Sequence, residues 1–401
     1  MNNESIIQQS EALKPRLGSF QNTALIVGLV GIAATIYGYV AQPDHFFQSY
    51  LLAFIYWVSL SMGSLGVLML HHLAGGRWGF AIRRFLEAGS RTLPLMFILL
   101  LPILFLGLHD LYHWSHTESL DEILLKKSAY LNEPFFIVRN LIYFAIWGLI
   151  AFYLNRWSLQ QDGTRETHPT RKMQRLSGAG IVIYALTMTL AGVDWIMSLE
   201  PHWFSTIFSA IYIIGQILLT WAFMTLVAVP LSNKPPLNHL LTNERLRDLG
   251  TFMLGFVMLW AYTSFSQFII IWAGNLPEEI TWYMTRLKGG WLDLGYVLIA
   301  LHFALPFVLL VSSRIKARIP ILVCIAFGLM VMRLVDLFWI TAPAFDQTGL
   351  SLHWLDIAIP IGMGGIWVAF FFWHLKRHSL IALNDPRFED LLSQEDEHSH
   401  G

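Results

Sequence analysis

The sequence has one cysteine, Cys324, and little charge: only 13% of its 401 residues are Asp, Glu, Lys or Arg. A single thiol excludes an internal disulfide, a C-x-x-C-H haem attachment, and an iron–sulfur cluster held by this chain alone, which takes about four thiolates. Cys324 itself reads as a small apolar core residue. Soluble domains carry about 25% charged residues. A chain this poor in charge, 55% hydrophobic and with mean hydropathy +0.53, has lipid as its solvent. Net charge is also lacking, at -1, which leaves no electrostatic footprint for a nucleic acid. The apolar runs show no period-2 alternation, which excludes the strands of a membrane barrel. Tryptophan and histidine, by contrast, are plentiful, at 16 and 15 residues. Tryptophan concentrates at bilayer interfaces. Histidine titrates near neutral pH and can relay protons.

A membrane-crossing helix needs about 20 apolar residues. Ten runs qualify: 23–41, 48–73, 90–111, 134–155, 176–198, 203–230, 248–274, 290–313, 319–341 and 352–375. The expected fold is therefore an all-α polytopic membrane protein, with a tail over 1–22, a membrane domain over 23–375 and a second tail over 376–401. Lysine and arginine outside the runs cluster on the side of the two tails; the other side holds only Lys126, Lys127, Arg286 and Lys288. That bias predicts cytoplasmic termini. The start MNNESIIQQS lacks the basic residues of a signal peptide, so no cleavage is expected. The acidic end, NDPRFEDLLSQEDEHSHG, suits either a partner contact or a disordered tail. Ser119 and Glu122, ahead of Ile123, Leu124 and Leu125, form a capping-box pattern that predicts a short surface helix.

An ionisable side chain at the bilayer centre costs about 2.5–3.5 kcal/mol on insertion scales, so it faces a partner or a water-filled cavity. Such residues gather in the outer half of the runs. Asp110, Asp194, Asp293, His302, Arg333, Asp336 and Asp356 are the candidates for a proton path opening outward, with His302 the deepest carrier. His109, His113, Arg139, His202 and His353 are the candidates for interface or docking contacts. Plainer roles compete. Arg333 and Asp336, spaced i,i+3, equally suit a bundle-locking ion pair. His109, His113 and His116 suit the headgroup zone, or a zinc site of HxxxHxxH spacing. His302 suits a bond to a neighbouring backbone carbonyl. His71, His72 and His374 come nearest to a haem pair, although no four-histidine pattern accompanies them. Gly75 and Gly76 read as a helix stop.

The connector VDWIMSLEPHWFSTIF (193–208) holds more polar and aromatic groups than a turn requires. Together with HHLAGGRWG (71–79), LPILFLGLHDLYHW (101–114), KSAYLNEPFFIVRN (127–140), LHFALPFVLLVSSR (301–314) and MRLVDLFWI (332–340), it resembles the NrfD/PsrC-like integral membrane family across essentially the whole chain. More narrowly, the chain is similar to the large membrane subunits of alternative complex III, a quinol:cytochrome c oxidoreductase, and its length fits the smaller of the two. The resemblance implies two four-helix bundles, spans 2–5 and 6–9, flanked by spans 1 and 10, in a bacterial inner membrane. It also implies three partners: a multi-haem cytochrome c subunit, an iron–sulfur subunit and a second NrfD-like subunit. Haem c and iron–sulfur clusters then belong to those partners. The resemblance also implies an outer-side site for menaquinol or another quinol, a region to which this chain could contribute, and no redox centre of its own in this chain. Proton half-channels through the bundles are implied as well. Asp194 would then carry protons and His202 would dock partners, while Pro201 and Trp203 set and anchor the turn. Two other functions stay open: a ten-span secondary transporter, and a structural anchor for the iron–sulfur and cytochrome c subunits.

Overall fold

Lipid offers a backbone no hydrogen bonds, so the chain satisfies its own as helix. The computed structural model describes residues 3–116, 121–346 and 349–386. Among these, ten helical segments are long and apolar enough to cross a membrane. They are α1 Asn3–Ala41, α2 Pro43–Ala74, α3 Arg77–Phe105, α4 Glu133–Asp162, α5 His168–Leu199, α6 Phe208–Ser232, α7 Asn243–Gly274, α8 Trp291–Val311, α9 Ile319–Ala344 and α10 Leu355–Leu375. Each overlaps one run predicted from the sequence.

The segments α2–α5 close into one bundle and α6–α9 into another, with α1 and α10 outside them. At the centre stands α2, buried along its whole apolar stretch. It packs on α3 and α5 of its own bundle, on α6 and α9 of the other, and on α10. The α1 helix docks along α10 through facing glycines: a Cβ on Gly31 would stand 2.0 Å from the Cα of Gly362. Small residues at such a crossing let two backbones touch, which is what drives helix association in lipid.

Several details differ from expectation. The N-terminal tail is helical from Asn3, and its buried Ile6, Leu13 and Leu17 make it part of the packed structure. The α3 segment begins well before residue 90, at Arg77, and breaks at Arg91–Thr92 into Arg77–Ser90 and Leu93–Phe105. Its polar first half is buried because its charges pair with one another and with Asp162 and Asp385, a fact that hydropathy does not register. Residues 298–304 of α8 form a π-helical turn around His302. Cys324, expected in the core, is exposed on α9. The surface helix Glu122–Lys127 is capped by Asp121, whose Oδ1 accepts from the Leu124 amide at 2.8 Å; Ser119 lies outside the described residues. The second tail folds back as far as residue 386, burying Leu380, Ile381, Ala382 and Leu383. Its acidic end from 387 onward lies outside the described residues.

Candidate functional site

The deepest polar groups form a chain across both bundles. Arg333 and Asp336 of α9 are ion-paired and buried. Arg333 Nη2 approaches the Tyr212 carbonyl of α6 at 3.4 Å. The guanidinium fits only because residue 215 is glycine, where a Cβ would stand 2.2 Å from Arg333 Cζ. On the other side, Trp260 of α7 meets the His302 ring edge-on, 4.4 Å between centroids, and reaches toward Asp336. His302 is fully buried, and neither ring nitrogen has a hydrogen-bond partner among the described residues. It therefore makes no bond to a backbone carbonyl. The π turn that carries it belongs to a class of helix defect common at functional sites.

From Tyr212 the chain enters the first bundle. The Tyr212 hydroxyl donates to the Ile55 carbonyl of α2 at 3.1 Å and lies 3.3 Å from Ser59 Oγ. One turn along α6, Gln216 accepts from the Tyr184 hydroxyl of α5 at 3.1 Å. Polar groups so buried persist only when they are paired or serve a hydrated path. Ser59, Tyr184 and Tyr212 carry no charge, so a search for ionisable residues passes over them.

At the end of the molecule opposite the termini, the polar groups are fasteners. Asp194 is fully buried, and both its oxygens are engaged. Arg139 Nε and Nη2 donate to it at 3.0 and 2.8 Å, and the Tyr143 hydroxyl at 3.0 Å. Arg139 also donates to the Tyr130 carbonyl at 2.7 Å, with its guanidinium 3.8 Å from the Tyr130 ring centre. The docking role expected of Arg139 fails, because this side chain lies inside the protein as a bidentate clamp between α4 and α5.

The rest of the connector ties the outer segments together. Glu200 accepts from Arg286 Nη2 at 3.0 Å, and Arg286 also donates to the carbonyls of Trp282, Trp339 and Ile340. Burial pulls the Arg286 guanidinium down to about 10, against the pull of Glu200, so it stays charged at neutral pH. Trp203 stacks on Trp282 at 4.9 Å and donates to the Glu279 carbonyl. His202 pairs with Asp121 at 2.6 Å, and Lys127 donates to the Pro201 carbonyl. The Leu124 amide, and after it His202, hold Asp121 below the usual carboxylate range. Asp194, Glu200 and His202 of this short stretch thus each hold a different neighbour.

Asp356 anchors a third group. It accepts from Ser49 Oγ at 2.6 Å and the His353 amide at 2.9 Å, and lies 3.2 Å from His45 Nε2. The His45 and His353 rings lie 4.4 Å apart. The cleft beside them, lined by His45, Gln48, Asp346 and Asp356, holds about 20 Å³, enough for one water. His45, in the first turn of α2, was not foreseen; the polar stretch PDHF ahead of an apolar run was its only signal.

Asp110 and Asp293, expected inside a path, are exposed. Asp293 sits in the first turn of α8, where an acid complements the helix dipole. His109, His113 and His116 are exposed too. His109 Nδ1 lies 3.1 Å from Ser115 Oγ and His116 Nε2 lies 3.0 Å from the His109 carbonyl, so these rings face local partners. No group of His, Cys, Asp and Glu among the described residues is placed to share a metal ion. His71 packs edge-on to Trp78, and His374 lies between Phe370 and Trp373.

The largest ion network was not expected at all. At the end that carries the termini, Arg83 pairs with Glu87 and Asp385, and Arg84 with Glu87 and Asp162. Ser158 joins Glu87, and the Leu383 amide donates to Asp162 at 2.8 Å. The sequence shows these arginines only as basic residues between two spans. No family model and no curated protein matches this chain.

Proposed function

We propose that this chain is a membrane subunit of a respiratory quinol:cytochrome c oxidoreductase complex of the NrfD-like kind. In this reading it provides a proton-conducting path and sits in a bacterial inner membrane with its termini in the cytoplasm. The quinol is the substrate of the complex. Electrons leave through iron–sulfur and haem c groups of partner subunits, and the second NrfD-like subunit lies alongside. The observation that carries the reading is the buried polar cluster of Asp336, Arg333, Tyr212, Ser59, Gln216 and Tyr184, with His302 buried beside it against the Trp260 ring. An anchor subunit has no use for an imidazole at that depth with both nitrogens unengaged. A proton carrier needs such a group, because a proton must be taken on one nitrogen and released from the other.

The Asp194 carboxylate is better read as a lock, since releasing it to carry a proton would strand Arg139. Of the earlier path candidates, His302, Arg333 and Asp336 remain the working set, with Asp356 and its one-water cleft as a separate polar group at the face opposite the termini. The transporter reading is the second choice. It is favoured by one feature: α3 and α8, the third span of each half, are both irregular.

Purification in mild detergent through a tag beyond residue 386 tests the assignment. The expected result is stoichiometric multi-haem cytochrome and iron–sulfur subunits with a haem spectrum. A chain that arrives alone and colourless overturns it. Within the complex, His302→Phe is expected to leave assembly and electron transfer intact and to lower the protons released per electron. Normal proton release in that variant removes His302 from the path.

A further inference from the structure

A crevice of about 430 Å³ opens on the flank of the molecule, walled by α1, α2, α6, α9 and α10. Phe20, Trp57, Phe223, Leu231, Phe327 and Phe372 represent its lining. The polar tips in the wall are turned away from the space. The Tyr56 hydroxyl donates to the Met330 carbonyl at 3.1 Å and the Trp57 indole to the Pro360 carbonyl at 2.8 Å. An apolar space without polar partners does not hold water. From Pro360 to Phe372 the α10 wall rises about 18 Å at about 1.5 Å per residue. That is close to one leaflet of a hydrocarbon core about 30 Å thick.

The crevice reaches the end of the molecule that carries the termini, where Phe20, Leu231 and Phe372 mark its rim. One turn beyond each stands a cation: Arg16 before Phe20, Lys234 after Leu231 and Lys376 after Phe372. Arg16 Cζ lies 5.9 Å from the Phe20 ring centre, directly over the rim. Arg16 and Lys234 are exposed and Lys376 is half-buried. Basic groups flanking an apolar groove between spans suit an anionic lipid headgroup.

We propose that this crevice is a binding site for an anionic phospholipid of the leaflet on the side of the termini. One acyl chain fills the dry wall, and the phosphate sits among Arg16, Lys234 and Lys376. The uncharged head of an isoprenoid lipid gains nothing from three cations. The site is independent of the redox reading, since it needs no partner subunit.

The test uses the full chain in nanodiscs of equal phosphatidylglycerol and phosphatidylethanolamine, extracted into mild detergent and weighed by native mass spectrometry. The expected result is one retained phosphatidylglycerol per chain. Each membrane-surface cation is worth about fivefold in affinity for an anionic lipid. The triple variant Arg16→Gln, Lys234→Gln, Lys376→Gln is therefore expected to lower the preference for phosphatidylglycerol by about a hundredfold. Val331→Trp, at a partly lipid-facing wall position, is expected to remove the retained lipid while circular dichroism stays unchanged. Three results overturn the proposal: no retained phospholipid, equal retention of the two headgroups, or an isoprenoid lipid in their place. Retention unaffected by Val331→Trp also overturns it.

Discussion

Replacing Asp194 by Asn changes almost no volume and removes one buried negative charge. Two donors of Arg139, now at 3.0 and 2.8 Å from the carboxylate, lose their charge-assisted bonds. Each such bond contributes about 1.5–3 kcal/mol net. Breaking a buried pair from one side costs about 3–5 kcal/mol, because the remaining ion is stranded. Arg139 keeps the Tyr130 carbonyl at 2.7 Å and the Tyr130 ring at 3.8 Å. A cation–π contact of this kind is worth about 1–2 kcal/mol, so the expected loss falls near the lower limit, about 3 kcal/mol. The double variant Arg139→Met, Asp194→Leu removes both charges, leaves no stranded ion, and is expected to cost less than either single change. Unfolding of the parent, Arg139→Met, Asp194→Leu and the double variant in mixed micelles of dodecyl sulfate and maltoside, followed by circular dichroism, gives the coupling energy as a double-mutant cycle. If Asp194→Asn unfolds within about 0.5 kcal/mol of the parent, as neutral surface changes do, the clamp is not what holds α4 to α5. Asp194 then returns to the set of proton carriers.

The glycine contact at Arg333 is testable by Gly215→Ala, whose Cβ would meet the guanidinium at 2.2 Å and push it off Asp336. The expected cost is about 1–3 kcal/mol in the same unfolding assay, and an unchanged stability sinks the close-approach argument. Ending the chain after Ser379 removes the buried Leu380, Ile381 and Leu383 together with the Asp385 partner of Arg83. Each large aliphatic side chain contributes about 1.5–3 kcal/mol, so limited proteolysis is expected to accelerate sharply near residues 83–91. The Asp121 carboxyl, held low by the Leu124 amide and His202, stabilises the 122–127 helix above the ordinary carboxylate range. That contribution is lost as pH falls through the depressed value. Hydrogen exchange in 122–127, corrected for intrinsic rates, is expected to rise below about pH 4; a profile identical in Asp121→Asn refutes the cap.

The spans were legible because apolar length is a local property and lipid allows one answer to it. The pairing of Arg333 with Asp336 was legible for the same reason, since an i,i+3 spacing puts both on one helical face. The contacts of the connector were not. Its Asp194, Glu200 and His202 are visible as polar residues, yet their partners Arg139, Arg286 and Asp121 lie 55, 86 and 81 positions away. Treated one at a time, these residues look like carriers or docking points; in the fold they are the two halves of closed pairs. Asp110 and Asp293 are exposed rather than buried, because a position along a helix says nothing about which side faces inward when apolar residues surround it on all sides.

Sequence alone determined that this is a ten-span helical membrane protein and marked Arg333, Asp336 and His302 as ionisable groups inside it, because composition, run length and helical spacing need no knowledge of neighbours. Only the tertiary structure decided which charges neutralise each other. It also decided that the arginines at 83 and 84 belong to a buried network closed by the returning tail, and that Tyr212, Ser59, Gln216 and Tyr184 link the bundles. The physical reason is that burial and pairing are properties of the packed surfaces of several helices at once, and those surfaces exist only after the helices have met.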